Sequence, residues 1–124
     1  MKNFLFSIIL LLSTSSYAMT VAEFQQVMKT QLKYPEDMTL YFTGLMSSAL
    51  MFNAVSLDMN GKRFFCSPID KKHKVDEHIQ ITNWYITTVG DTMRKEYRKI
   101  GRNFDNVEIS EAYALALLTY YSCD

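Results

Sequence analysis

Four side chains carry most of the chemistry open to this sequence: Cys66, His73, His78 and Cys123. A thiol with an imidazole in reach is a nucleophile and its base, and Cys66 with His73 or His78 would be the minimal pair. No signature of a cysteine hydrolase surrounds Cys66, so the pair is weak evidence for catalysis. The histidines are five apart, whereas two metal ligands on one helix face are usually four apart. The reading is therefore two solvated or hydrogen-bonded histidines and no metal. An even pair of cysteines in an exported chain reads first as a disulfide. Closing a loop of about 58 residues would add about 4 kcal/mol in the chain-entropy account. That is a large share of the stability of a small domain. With no phosphate loop and no carboxylate pair at a recognisable spacing, neither an enzyme nor a cofactor is expected.

Export is read from the first 18 residues. Lys2 gives a positive start, Phe4 to Leu12 is apolar apart from Ser7, and Ser16-Tyr17-Ala18 is a small-x-small cleavage site. The run is well short of the ~20 apolar residues a spanning helix needs, so no stable membrane insertion is expected after cleavage. Residues 19–124 then form one domain with a single small core. Removing Lys2 from 13 basic residues leaves 12 against 13 acidic ones, a formal charge of −1. That balance, with export, argues against a nucleic-acid partner.

The elements that would position these side chains are helices. Thr20-Val21-Ala22-Glu23 fits a capping box, followed by the stripe Val21, Phe24, Val27, Met28, Leu32, with Tyr34-Pro35 as the stop. Met38, Tyr41, Leu45, Ala49, Phe52, Val55 and Met59 step by three or four, and Phe42, Met46, Leu50 and Leu57 add a second apolar side. A helix apolar on more than one side is expected to be the central post of the fold. Gly44 and Ser48 would let another backbone approach it. Asn60-Gly61 either caps this helix in a left-handed conformation or turns a short hairpin over residues 55–66. The cap is favoured, because the helical spacing begins twenty residues earlier.

A third helix is expected from about Lys71, with Asp70 as its cap and Val75, Ile79, Thr82, Ile86 and Val89 facing inward. Gly90 is expected to break it, leaving a short helix from Asp91 to Ile100. The last helix, capped by Ser110, is apolar nearly all round and delivers Cys123 to the end of the chain. The expected fold is all-α, a compact bundle of four to five helices with one disulfide and a hairpin or irregular loop around 55–66.

Two surfaces carry the residue types that anchor protein interfaces. The loop after the long helix bears Lys62, Arg63, Phe64, Phe65, Lys71 and Lys72, and a bridge at Cys66 would hold it rigid. Against this, one or both phenylalanines could belong to the core. The second surface is the face Arg94, Lys95, Arg98, Lys99 and Arg102, relieved only by Glu96; its simplest reading is a solvated helix face. Eight tyrosines and eight phenylalanines are many for so small a body, which makes a homodimer burying some of them plausible.

Tyr41-Phe42-Thr43-Gly44 opening a long helix, Phe65-Cys66-Ser67-Pro68, a polar helix with Gln80 and Trp84-Tyr85-Ile86, and the closing Tyr121-Ser122-Cys123 form a familiar order. The pattern resembles the Rap/Tai family of type VI secretion immunity proteins. Members usually have proline before the last cysteine, where this chain has Ser122, and Met93–Asn106 is longer and more basic than the family leads one to expect. The resemblance implies a small, all-helical periplasmic protein that sterically blocks a peptidoglycan-cleaving amidase effector, in some cases as a homodimer. A small helical periplasmic chaperone is the competing class.

Overall fold

Thr20 opens the fold as expected. Its hydroxyl accepts from the Glu23 amide at 3.2 Å and donates to the Glu23 carboxylate at 3.1 Å, a variant of the capping box. The computed structural model describes residues 19–124, so the expected signal segment lies outside the described residues. From this cap runs α1 (Val21–Thr30), followed by α2 (Glu36–Asn60), α3 (Val75–Lys99), a 3-10 turn at Phe104–Asn106 and α4 (Ile109–Tyr120). The all-α expectation holds, and Cys66 is bridged to Cys123 with the Cα atoms 5.0 Å apart. Gly61 ends α2 at φ 69°, the left-handed cap, and no hairpin forms at 55–66.

The central post is α3, not α2, since α3 is the element that touches α1, α2, α4 and the 3-10 turn. On α2 only Met38, Phe42 and Asn53 are buried. The reason lies in the period. Met38, Tyr41, Leu45, Phe52, Val55 and Met59 follow a 3.5-residue repeat, and a straight helix drifts about 20° per heptad away from such a stripe. The face that stays on the body is the 3.6-residue series Met38, Phe42, Leu45, Ala49, Asn53. By Phe52 the apolar stripe has wound outward, and Phe52, Val55 and Met59 are exposed. Gly44 and Ser48 are exposed too, and no neighbour comes within 4 Å of where a Gly44 side chain would begin.

Gly90 does not break α3. A mid-helix glycine costs only about 1 kcal/mol relative to alanine, and tertiary contacts beyond it more than offset that. The Arg94 guanidinium lies over the bare Gly90 and bonds Gln25 of α1 at 3.0 Å and Asp105 of the 3-10 turn at 3.1 Å. One turn further on, the Tyr97 ring packs edge-on against Phe104 at 5.1 Å. Two expected caps also differ. α3 begins at Val75 with Asp76 and Glu77 in its first turn, leaving Asp70 exposed in the preceding loop. α4 begins at Ile109, one residue before Ser110, because its amide is taken by the Met19 carbonyl at 2.7 Å beside the Thr20–Glu108 bridge. Leu32 falls beyond the end of α1 and is fully exposed. The core is an aromatic stack, Phe24 against Phe42 at 5.8 Å and Phe42 edge-on to Tyr113 at 5.8 Å, continued by Ile79, Ile86, Phe104, Ile109 and Ala116.

Candidate functional site: an apolar groove and the loop that walls it

The outward turn of the α2 stripe leaves a groove between α2 and α4. It has a volume of about 320 Å³ and is lined by Leu45, Ser48, Ala49 and Phe52 of α2 and by Ser110, Tyr113, Ala114, Leu117 and Leu118 of α4. Phe64 and Phe65 of the following loop wall it. No charged side chain lines it. Apolar surface continues beyond the groove along α2, where Leu40, Met51, Val55, Leu57 and Met59 are each exposed by 45% or more. Large apolar patches on soluble proteins mark interaction sites, and Phe52, Val55 and Met59 stand three and four residues apart on one exposed side of α2.

Three devices hold the wall. Asn53, 8% exposed on the inner face of α2, accepts from the amides of Phe64 at 2.5 Å and Phe65 at 3.0 Å and donates to the Phe65 carbonyl at 2.9 Å. Next, the Cys66 amide donates to the Tyr121 carbonyl at 2.6 Å, beside the disulfide. Finally, Ser67 Oγ is 3.1 Å from His73 Nε2, His73 Nδ1 is 2.8 Å from His78 Nε2, and His78 Nδ1 is 2.7 Å from the Tyr113 hydroxyl. Burial lowers the basicity of both imidazoles, bringing His78 down to about 4. Burial also pushes the Tyr113 phenol well above its ordinary range. This chain has the connectivity of a serine–histidine relay, but Ser67 is 9% exposed and does not line the groove. The sulfurs are bridged, so Cys66 is no nucleophile in this state.

The sequence-derived interface residues separate on this frame. Phe64 is half exposed and meets Phe52 edge-on at 5.1 Å, forming the rim, whereas Phe65 is core. Lys62 and Lys72 are exposed. Arg63 turns back to donate to the Ser67 carbonyl at 3.0 Å, and Lys71 pairs with Glu77 at 2.7 Å. The basic face of α3 is more paired than its spacing suggested. Arg94 meets Asp91 and Asp105, Lys99 meets Glu96, and Arg102 meets Glu111 at 3.3 Å while lying over the Tyr97 ring. Lys95 and Arg98 are exposed, and Arg98 joins Arg94 and Arg102 around a cleft beside Asn103 and Asp105. Among the described residues no group of His, Cys, Asp and Glu is placed to hold a metal.

No family model, curated protein or solved structure matches the chain. Asn53, like Ser67 and Tyr113, is a site residue that sequence reasoning missed. Its one signal is that it is the lone amide in an uncharged run from Met38 to Leu57, where an unpaired polar group facing inward would be costly.

Proposed function

We propose that this chain is an exported binding protein of the immunity type, which blocks a peptidoglycan-degrading amidase effector by seating part of it on α2 and the groove. The observation that carries the reading is the stretch of α2 from Met38 to Leu57, free of charged side chains, whose exposed Phe52 also lines the groove. Phe52, Val55 and Met59, the outward end of its 3.5-residue stripe, keep the spacing that packs knobs into holes against a second helix, so a helical segment of the partner fits it best. The rigid wall at 64–66 lowers the ordering entropy lost on binding. The motif resemblance supplies the class of partner, and the read-out signal segment supplies the periplasmic setting. In this reading Lys62 and Phe64 sit at the rim of the interface, and the Arg94–Arg102 face lies outside it.

The test is co-expression of the chain with periplasmic amidase toxins, scored by rescue from lysis, followed by affinity measurement. Met51→Glu and Phe64→Glu change exposed positions and should fold normally. Each should weaken the complex at least thirtyfold, about 2 kcal/mol, while Lys95→Glu and Arg98→Glu leave it intact. The opposite pattern moves the interface to the basic face and removes this reading. The chaperone class draws support from Met46, Met51 and Met59 along one helix, since methionine-rich surfaces suit promiscuous partners. It predicts weak binding to many unfolded clients instead of one partner at fixed stoichiometry. A homodimer through the same face would show as a concentration-dependent mass, abolished by Met51→Glu.

A further inference from the structure

The histidine chain links the loop that walls the groove to the groove's floor, since it begins at Ser67 and ends at Tyr113. Counting protons shows what it can do. Two neutral imidazoles hold two protons among four ring nitrogens. One must lie between the rings, because His73 Nδ1 and His78 Nε2 are 2.8 Å apart. The other sits at one end, facing Ser67 or Tyr113. A third proton can be accommodated: both outer nitrogens then donate to hydroxyl oxygens, at the cost of one charge in a poorly solvated site. A fourth cannot. Two N–H groups would then face each other across the ring–ring contact, with a positive charge on each ring.

The surroundings do little to soften this limit. Lys71 of the loop and Glu77 of α3 both face the histidines, but they are paired with each other at 2.7 Å, so their opposing effects largely cancel. Tyr113 of α4 and Tyr121 of the tail, whose ring lies 5.8 Å from His73, are phenols held above their ordinary range by burial. Neither ionises in acid. The Arg63 guanidinium is occupied by the Ser67 carbonyl. Among the described residues, no carboxylate beyond Glu77 acts on either ring.

We propose that Ser67, His73, His78 and Tyr113 form an acid-sensitive latch, in which full protonation of the histidine pair separates the rings, frees residues 67–74 and unseats Tyr113 at the groove floor. Asn53 and the disulfide remain in place, so the opening is local and the helices persist. The consequence for partner binding rests on the groove being the docking site, but the latch itself does not. Under that reading the partner holds the latch shut, and by linkage acid weakens the partner.

The test uses the isolated protein with 1-anilinonaphthalene-8-sulfonate as a probe of exposed apolar surface, titrated from pH 7.5 to 3.5 beside far-UV circular dichroism. The wild type should show at least a threefold rise in dye emission between pH 6 and 4, at constant helicity and with a pH dependence steeper than one proton. His73→Gln sits at a half-buried loop position, keeps hydrogen-bonding capacity and cannot become charged; it should show no such rise. The latch is overturned by a variant that follows the wild-type curve, by a one-proton or shallower dependence, or by dye binding that appears only as helix is lost. Failure of Met51→Glu to weaken a partner at pH 7.5 would instead refute the docking reading alone.

Discussion

Replacing Asn53 probes how the groove wall is held. Its side chain makes three hydrogen bonds to the backbone of Phe64 and Phe65. Phe64 is half exposed, so water can replace the partner of its amide, and that bond contributes the ordinary net ~1 kcal/mol. Phe65 is 2% exposed, and Asn53→Ala would leave both its amide and its carbonyl unpaired, at about 1 kcal/mol or more each. The expected loss is about 3 kcal/mol, read from urea midpoints at unchanged m-value. Asn53→Asp separates the components. It keeps the oxygen that accepts both amides, which favours the charged form, but turns the second carboxylate oxygen on the Phe65 carbonyl, and that repulsion together with burial raises the carboxyl pKa. Relative to wild type at the same pH, Asn53→Asp should be destabilised by about 2 kcal/mol at pH 7. It should recover as pH falls and the protonated acid donates to that carbonyl. A loss below about 1 kcal/mol for Asn53→Ala, or an aspartate variant as stable as wild type at pH 7, would show that the wall is not held by this amide.

Two further outcomes follow from the same geometry. Reducing the Cys66–Cys123 bridge should cost about 4 kcal/mol of stability in the chain-entropy account, measured by urea unfolding with and without reductant. Faster hydrogen exchange should be confined to residues 64–74 and the tail after Tyr120, because α1 and the start of α2 do not depend on the bridge. The second outcome concerns pH. His78 is fully buried with its pKa brought from 6.5 to about 4, so the folded state binds fewer protons than the unfolded state between those values. The stability this confers is present above about pH 6.5 and lost as pH falls towards 4, at most about 3 kcal/mol in all and less once the histidine pair opens. A stability profile flat over that range would show that His78 titrates normally.

The parts of the fold legible in the sequence were those set by local chemistry. Thr20 and Glu23 mark the start of α1, Gly61 supplies the left-handed cap that ends α2, and the lone cysteine pair joins. Misreadings arose where tertiary contacts outweigh a local preference. Gly90 reads as a breaker until Arg94 is seen filling the space over it, and Ser110 reads as a cap until the Met19 carbonyl is seen taking the Ile109 amide. The groove was hidden for a different reason. Apolar spacing shows that a stripe exists, not which neighbour covers it, and about a tenth of a residue per turn, accumulated from Met38, decides whether Phe52 points into the body or away from it. The histidine relay was equally illegible: His73 lies on a loop, so spacing along a helix says nothing about its distance to His78.

A bare α2 raises one more question, since it is long and apolar enough to cross a bilayer by length and composition. Its 25 residues span ~37 Å against ~30 Å of hydrocarbon, and its charges are confined to Glu36, Asp37 and Asp58 near the ends. Crossing would place residues 19–35 on one side and 61–124 on the other. Yet Thr20 pairs with Glu108, Gln25 bonds Arg94, and Phe24 packs with Phe42 in the same core as Ile79 and Ala116. Segments that share one core cannot lie on opposite faces of a membrane, so a spanning α2 and this fold exclude each other. Within the fold, Asn53 and the disulfide also tie the far end of α2 back to α4 and the tail. The uncovered face is therefore presented sideways by a helix fixed to the body at both ends.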